Sequence, residues 1–129
     1  MVNPSAAIED EERQMTDTLY PPSSRELADK RRALAPETEK TFQAFSRQVF
    51  ADGALNAKAK QLIAVAVAHV TQCPYCIKGH TKAALRHGAT RQELMEAIWV
   101  AAEMRAGGAY AHTAISLTAM DEAENQSKG

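Results

Sequence analysis

An apolar run, Leu62 to Val70, leads into Cys73-Pro74-Tyr75-Cys76, and the proline dictates what the chain does next. Proline has no backbone N–H and its ring clashes with the preceding turn, so a helix arriving at Gln72 has to end. The same ring suits the first position of a new helix. The segment predicts a helical hairpin: one helix from Ala57 to about Thr71, capped by Asn56, a break at Gln72-Cys73, and a second helix from Pro74 to about His87, closed by Gly88. The first of these is apolar on almost every side, which predicts burial. Both cysteines of the chain fall at the turn.

The rest of the chain carries the same period. Apolar residues are 45% of the 129 positions and aromatics only 5%, a balance that favours close-packed helices over a sandwich rich in Val, Tyr and Phe. Ile8 to Leu19 predicts a charged helix stopped by Tyr20-Pro21-Pro22, and Ser24 to Leu34 a short one. Pro36 to Phe50 carries a stripe of Phe42, Phe45, Val49 and Phe50. Thr90-Arg91-Gln92-Glu93 reads as a capping box opening a helix to about Arg105, with Leu94, Ala97, Ile98, Ala101 and Met104 inward. Gly107-Gly108 is expected to loosen or break the chain before a last helix, Ala109 to Ala123. No β period appears. The expectation is an all-α bundle of about six helices, with an accessory segment at 1–35, a domain at 36–124 and a frayed tail at 125–129.

Charge narrows the partners. With 15 basic and 16 acidic residues the net charge is −1, where nucleic-acid or membrane-surface binding calls for a basic excess. Met1 to Arg13 is acidic and has no apolar segment of the signal-peptide kind, and Leu62 to Val70 is shorter than the roughly 20 residues a bilayer span needs. The expected setting is the cytoplasm, where a disulfide is usually transient and catalytic.

The chemistry follows from ionisation. A thiol with its ordinary pKa of about 8.5 is mostly protonated at neutral pH, and only the thiolate attacks peroxides or disulfides. Cys73 at the N-cap and Cys76 in the first turn face unpaired N–H groups and the positive end of the helix dipole, which lowers at least one thiol pKa. His80 lies one turn after Cys76 on the same face, and His69 lies in the last turn before the break. Three other readings compete. The pair could stay reduced and only pack. Cys73, Cys76, His69 and His80 could bind zinc, although structural zinc sites place their ligand pairs on separate loops or strands. A thioredoxin-like fold would need strands before the motif, and none is read there. His112 and Tyr110 are assigned to packing or subunit contacts, and His87 to complementing its helix dipole. No cofactor and no metal are expected.

The stretch Gln61-Leu-Ile-Ala-Val-Ala-Val-Ala-His69, then Cys73-Pro-Tyr-Cys76-Ile-Lys-Gly-His80-Thr-Lys-Ala-Ala, and Gly88-Ala-Thr-Arg-Gln-Glu93-Leu, resembles the carboxymuconolactone decarboxylase-like superfamily and, within it, the alkylhydroperoxidase D type. The resemblance spans about Pro36 to Leu117. It implies an all-helical subunit that assembles into trimers or hexamers and reduces a small hydroperoxide, with electrons returned by a thioredoxin-like or lipoyl dithiol. Cys76 resembles the peroxidatic cysteine that becomes a sulfenic acid, Cys73 the partner that gives a proton and then closes the disulfide, and His80 the relay histidine. The family glutamate falls on Gln61, an amide that cannot exchange a proton as a carboxylate does, which leaves His69 as a possible substitute base. Gln61 also lies about 18 Å along its helix from Cys73, so contact with the site requires a kink or another packing path. Tyr75 stands where some relatives carry histidine. The expected function is a thiol-dependent hydroperoxide reductase or disulfide-cycling antioxidant protein. The alternatives are a lactone decarboxylase, for which no carboxylate-binding arginine is evident beside the motif, and a non-catalytic redox-sensing oligomer.

Overall fold

The structure, a computed structural model, describes residues 3–129, with the backbone alone for residues 12–18. Six helices and no strand occur among them: α1 (Pro4–Leu19), α2 (Arg25–Leu34), α3 (Pro36–Phe50), α4 (Ala57–Thr71), α5 (Pro74–Arg86) and α6 (Arg91–Lys128). The all-α expectation holds. The chain divides into two compact units that meet between Ala51 and Asp52.

In the first unit, α1 starts earlier than its apolar pattern suggested, because Pro4 supplies a first helical position and the Asn3 side chain accepts from the Ser5 N–H at 3.1 Å. Ser24 caps α2 through the Leu27 N–H at 3.2 Å. α2 and α3 pack on each other, yet neither contains a buried residue. The stripe on α3 is present, but Phe42 and Phe45 stand exposed.

The second unit holds the core. Asn56 caps α4 by accepting from the Ala59 N–H at 2.8 Å. Helix α4 ends where Gln72 takes the left-handed conformation (φ 57°), and the Cys73 N–H then reaches back to the Ala68 carbonyl at 3.2 Å. Two residues thus reverse the chain into α5. Gly88 (φ 90°) repeats the device at the far end of α5, where Gly88 N–H bonds the Leu85 carbonyl and Ala89 N–H the Ala84 carbonyl. The capping box then opens α6 as the sequence predicts, with Glu93 N–H to Thr90 Oγ1 at 3.1 Å and Thr90 N–H to Glu93 Oε1 at 2.9 Å. Helix α6 runs parallel to α4. Lys58 pairs with Glu93 and the Val70 carbonyl with Arg105, each pair 35 positions apart in sequence, so the two helices keep one register.

Val65, Ala84, Ala89 and Leu94 form the buried centre, with Leu62 and Ile98 packed against it. Alanines at 68, 83, 84 and 101 let the helices approach closely. Three expectations are corrected. Helix α4 is not buried all round, because α5 and α6 cover only one side and leave Ile63 and Val67 about half exposed, at 50% and 53%. Met104 lies outside the core. Gly107-Gly108 does not break the chain: α6 continues through it, past Ala123 to Lys128, because glycine weakens a helix without removing any of its hydrogen bonds.

Candidate functional site

The hairpin turn concentrates the chemistry. Cys73 is the N-cap of α5, and its sulfur accepts from the Cys76 backbone N–H at 3.3 Å and lies 2.6 Å from the Cys76 sulfur. The Tyr75 backbone N–H points to the same sulfur. These donors, the Cys76 thiol foremost, hold the Cys73 thiol below its ordinary pKa. Cys76 moves the opposite way. Its proton is engaged by Cys73, partial burial disfavours its charge, and a thiolate on Cys73 repels a second one. Of the two half-buried sulfurs, Cys73 is therefore the more readily ionised and Cys76 the one that holds its proton longer.

His80 lies one turn beyond Cys76 on α5, and its Nδ1 is 2.8 Å from Oε1 of Gln61. Gln61 is the buried polar side chain of this unit, at 7% exposure. The packing path to Gln61 thus runs sideways across the α4–α5 interface and needs no kink in α4. The path also links the amide to the histidine rather than to a sulfur. His69 is half-buried, and its Nδ1–H donates to the Val65 carbonyl one turn earlier at 2.7 Å. The structure so brings together Cys73 with Cys76, and His80 with Gln61, while His69 is oriented by its own helix. Among the described residues no three His, Cys, Asp or Glu side chains converge as a metal-binding group.

Sequence reasoning missed Arg105. Its Nη1 donates to the Val70 carbonyl at 3.4 Å, in the last turn of α4 and three residues before Cys73. With Val70, Met104, Gly108, Ala109 and His112 it lines an open, largely apolar groove of about 550 Å³. The one available signal was the equal spacing that sets α6 beside α4, and it shows only once the two helices are known to be parallel.

Residues 36–119 match the carboxymuconolactone decarboxylase family. The chain belongs to this family. A curated relative from Paracoccus denitrificans, described as uncharacterized protein 4 in the cox locus, is 58% identical over 108 residues, covering 84% of this chain and 96% of the relative. Among solved structures, an apo carboxymuconolactone decarboxylase family protein from Legionella pneumophila shares 33% identity at a TM-score of 0.61, over 88% of this chain and 96% of that one. A protein from Methanobacterium thermoautotrophicum shares 38% identity at a TM-score of 0.61, over 66% of this chain and 94% of its own. The family match spans α3 to α5 and the greater part of α6.

Proposed function

We propose that this carboxymuconolactone decarboxylase family member is a thiol-dependent hydroperoxide reductase of the alkylhydroperoxidase D type, an antioxidant enzyme that cycles Cys73 and Cys76 through a disulfide. The observation that carries the reading is the 2.6 Å contact between the two sulfurs at the N-terminus of α5. As the pair reacts, one proton of the dithiol passes to His80 and the charge first lies on Cys73. The Cys76 proton then crosses to Cys73, which makes Cys76 the attacking sulfur. Its higher pKa makes it the stronger nucleophile once ionised. Attack on the outer peroxide oxygen forms an S–O bond and breaks O–O, and the departing alkoxide takes the proton of Cys73 to leave as an alcohol. Cys73 thiolate next attacks the sulfenic sulfur, forming S–S and expelling hydroxide, which takes the proton of His80 and leaves as water. The two thiols lose two electrons and the peroxide gains them. A thioredoxin-like or lipoyl dithiol restores the pair.

The proposed setting is the cytoplasm, and no helix among the described residues is long and apolar enough to cross a membrane. Copies of the chain are proposed to associate through the uncovered apolar side of α4 and α6, where Ile63, Val67, Trp99 and Val100 are exposed. Sedimentation that finds only monomer at micromolar concentration removes that part.

Peroxide consumption with a dithiol reductant, in the natural chain and in Cys76→Ser and Cys73→Ser, tests the chemistry. Loss of turnover in both variants is expected, and equal rates in all three exclude cysteine catalysis. The Arg105 groove supports a second reading, decarboxylation of a lactone acid whose carboxylate the guanidinium would bind. Decarboxylation of a muconolactone that survives the double cysteine variant and fails in Arg105→Gln would establish it.

A further inference from the structure

A buried amide needs a reason, because taking a carboxamide out of water is unfavourable unless its polar atoms are used. Gln61, between Lys60 and the apolar run that starts at Leu62, is 7% exposed, and its oxygen lies 2.8 Å from the Nδ1 of His80. A carboxamide oxygen can only accept, so the ring nitrogen facing it carries the hydrogen. In this orientation no buried side-chain nitrogen or oxygen among the described residues lacks a partner. A neutral histidine with its proton on Nδ1 has its basic lone pair on Nε2.

We propose that Gln61 is a positioning residue: its buried oxygen holds His80 in the Nδ1–H tautomer, so that Nε2 is the atom that takes the proton released by the Cys73–Cys76 pair. The inference rests on the thiol reading of the site and adds to it the atom that acts and the residue that selects it. It also gives the amide a function of its own. A carboxylate at this point would stabilise the imidazolium and hold the ring charged, whereas an amide fixes the same hydrogen bond without adding charge, leaving a ring that can accept a proton. The titratable groups on the elements packed against α5 do not replace it. Lys58 of α4 and Glu93 of α6 engage each other at 2.7 Å, and His69 is turned to the Val65 carbonyl. Arg105 of α6 donates to the Val70 carbonyl, and the other titratable side chains of these two helices are Lys60 on α4 and Arg91, Glu96, Glu103, Tyr110, His112, Asp121, Glu122, Glu124 and Lys128 on α6.

The test uses the full reduced chain, labelled for ring-nitrogen NMR of His80, with Gln61→Glu and the apolar, similarly sized Gln61→Met. The natural chain is expected to show the Nδ1–H tautomer. Gln61→Glu should keep the ring in place and raise the pH at which His80 loses its charge by about 1–2 units. The acid limb of cysteine alkylation should move upward with it. Gln61→Met, shown to be folded by circular dichroism, should release the tautomer and slow alkylation at neutral pH by roughly tenfold. An Nε2–H tautomer in the natural chain, or unchanged His80 titration in Gln61→Glu, overturns the proposal. Neither readout needs peroxide. If the tautomer and titration behave as expected but the natural chain consumes no peroxide, the positioning role stands and the peroxidase reading falls. If peroxide is consumed while both variants match the natural chain in every readout, the positioning role falls alone.

Discussion

Replacing Gly107 and Gly108 together by alanine tests whether α6 is one continuous helix. A Cβ at Gly107 would meet the carboxylate end of Glu103 at 3.3 Å, a flexible and exposed group that can move aside, and one at Gly108 meets nothing within 4 Å. Each glycine in a helix interior is less favourable than alanine by roughly 0.5–1 kcal/mol, so the pair should stabilise the helix by about 1–2 kcal/mol. Where that energy appears depends on the packing. Ala101 is the last buried residue of α6, and every residue from Ala109 onward is exposed. The distal half is therefore held by its own hydrogen bonds, and the gain should act on its local opening rather than on global unfolding. An energy of that size is a factor of roughly 5–30, so hydrogen exchange at residues 109–124 should slow by about that factor while the thermal midpoint moves little. Gly108→Pro should do the reverse, since an interior proline costs about 3 kcal/mol. Distal amides exchanging no more slowly in the alanine pair, with unchanged sedimentation, would refute a continuous helix. A loss of association in that variant would instead assign the glycines to a close subunit contact.

Two further outcomes are expected. Val65→Ala removes two methyl groups from a fully buried side chain and should lower stability by about 2–3 kcal/mol, read as a shift of the denaturation midpoint at unchanged slope. Because hydrogen bonds to its sulfur lower the Cys73 pKa, its alkylation should reach a plateau at a lower pH than that of Cys76, and Cys76→Ala should move the Cys73 curve toward higher pH by removing the principal donor; mass spectrometry of the alkylated peptides across pH reads both.

Much of the hairpin was legible before any coordinates. Pro74 forces a restart, Asn56, Thr90 and Glu93 supply caps, and Gly88 tolerates positive φ, all of which are local effects between residues a few positions apart. Local rules also placed the cysteines at a helix N-terminus. They failed at Gly107-Gly108 because propensity is a weak preference that a long helix can override. They also failed on α4, where an apolar pattern says that a face prefers burial but not whether the chain has enough helices to provide it.

What the sequence by itself determined was the α4–α5 hairpin with its caps, the start of α6, and the two sulfurs gathered at one turn, since local spacing sets those. Only the tertiary structure decided that Gln61 serves His80 rather than a cysteine, that His69 turns to its own backbone, and that Arg105 comes within one turn of the motif. Each of these depends on how one helix lies against another. Pairings across a helix interface follow from the crossing and register of whole elements, which side chains far apart in sequence fix together and no local pattern records.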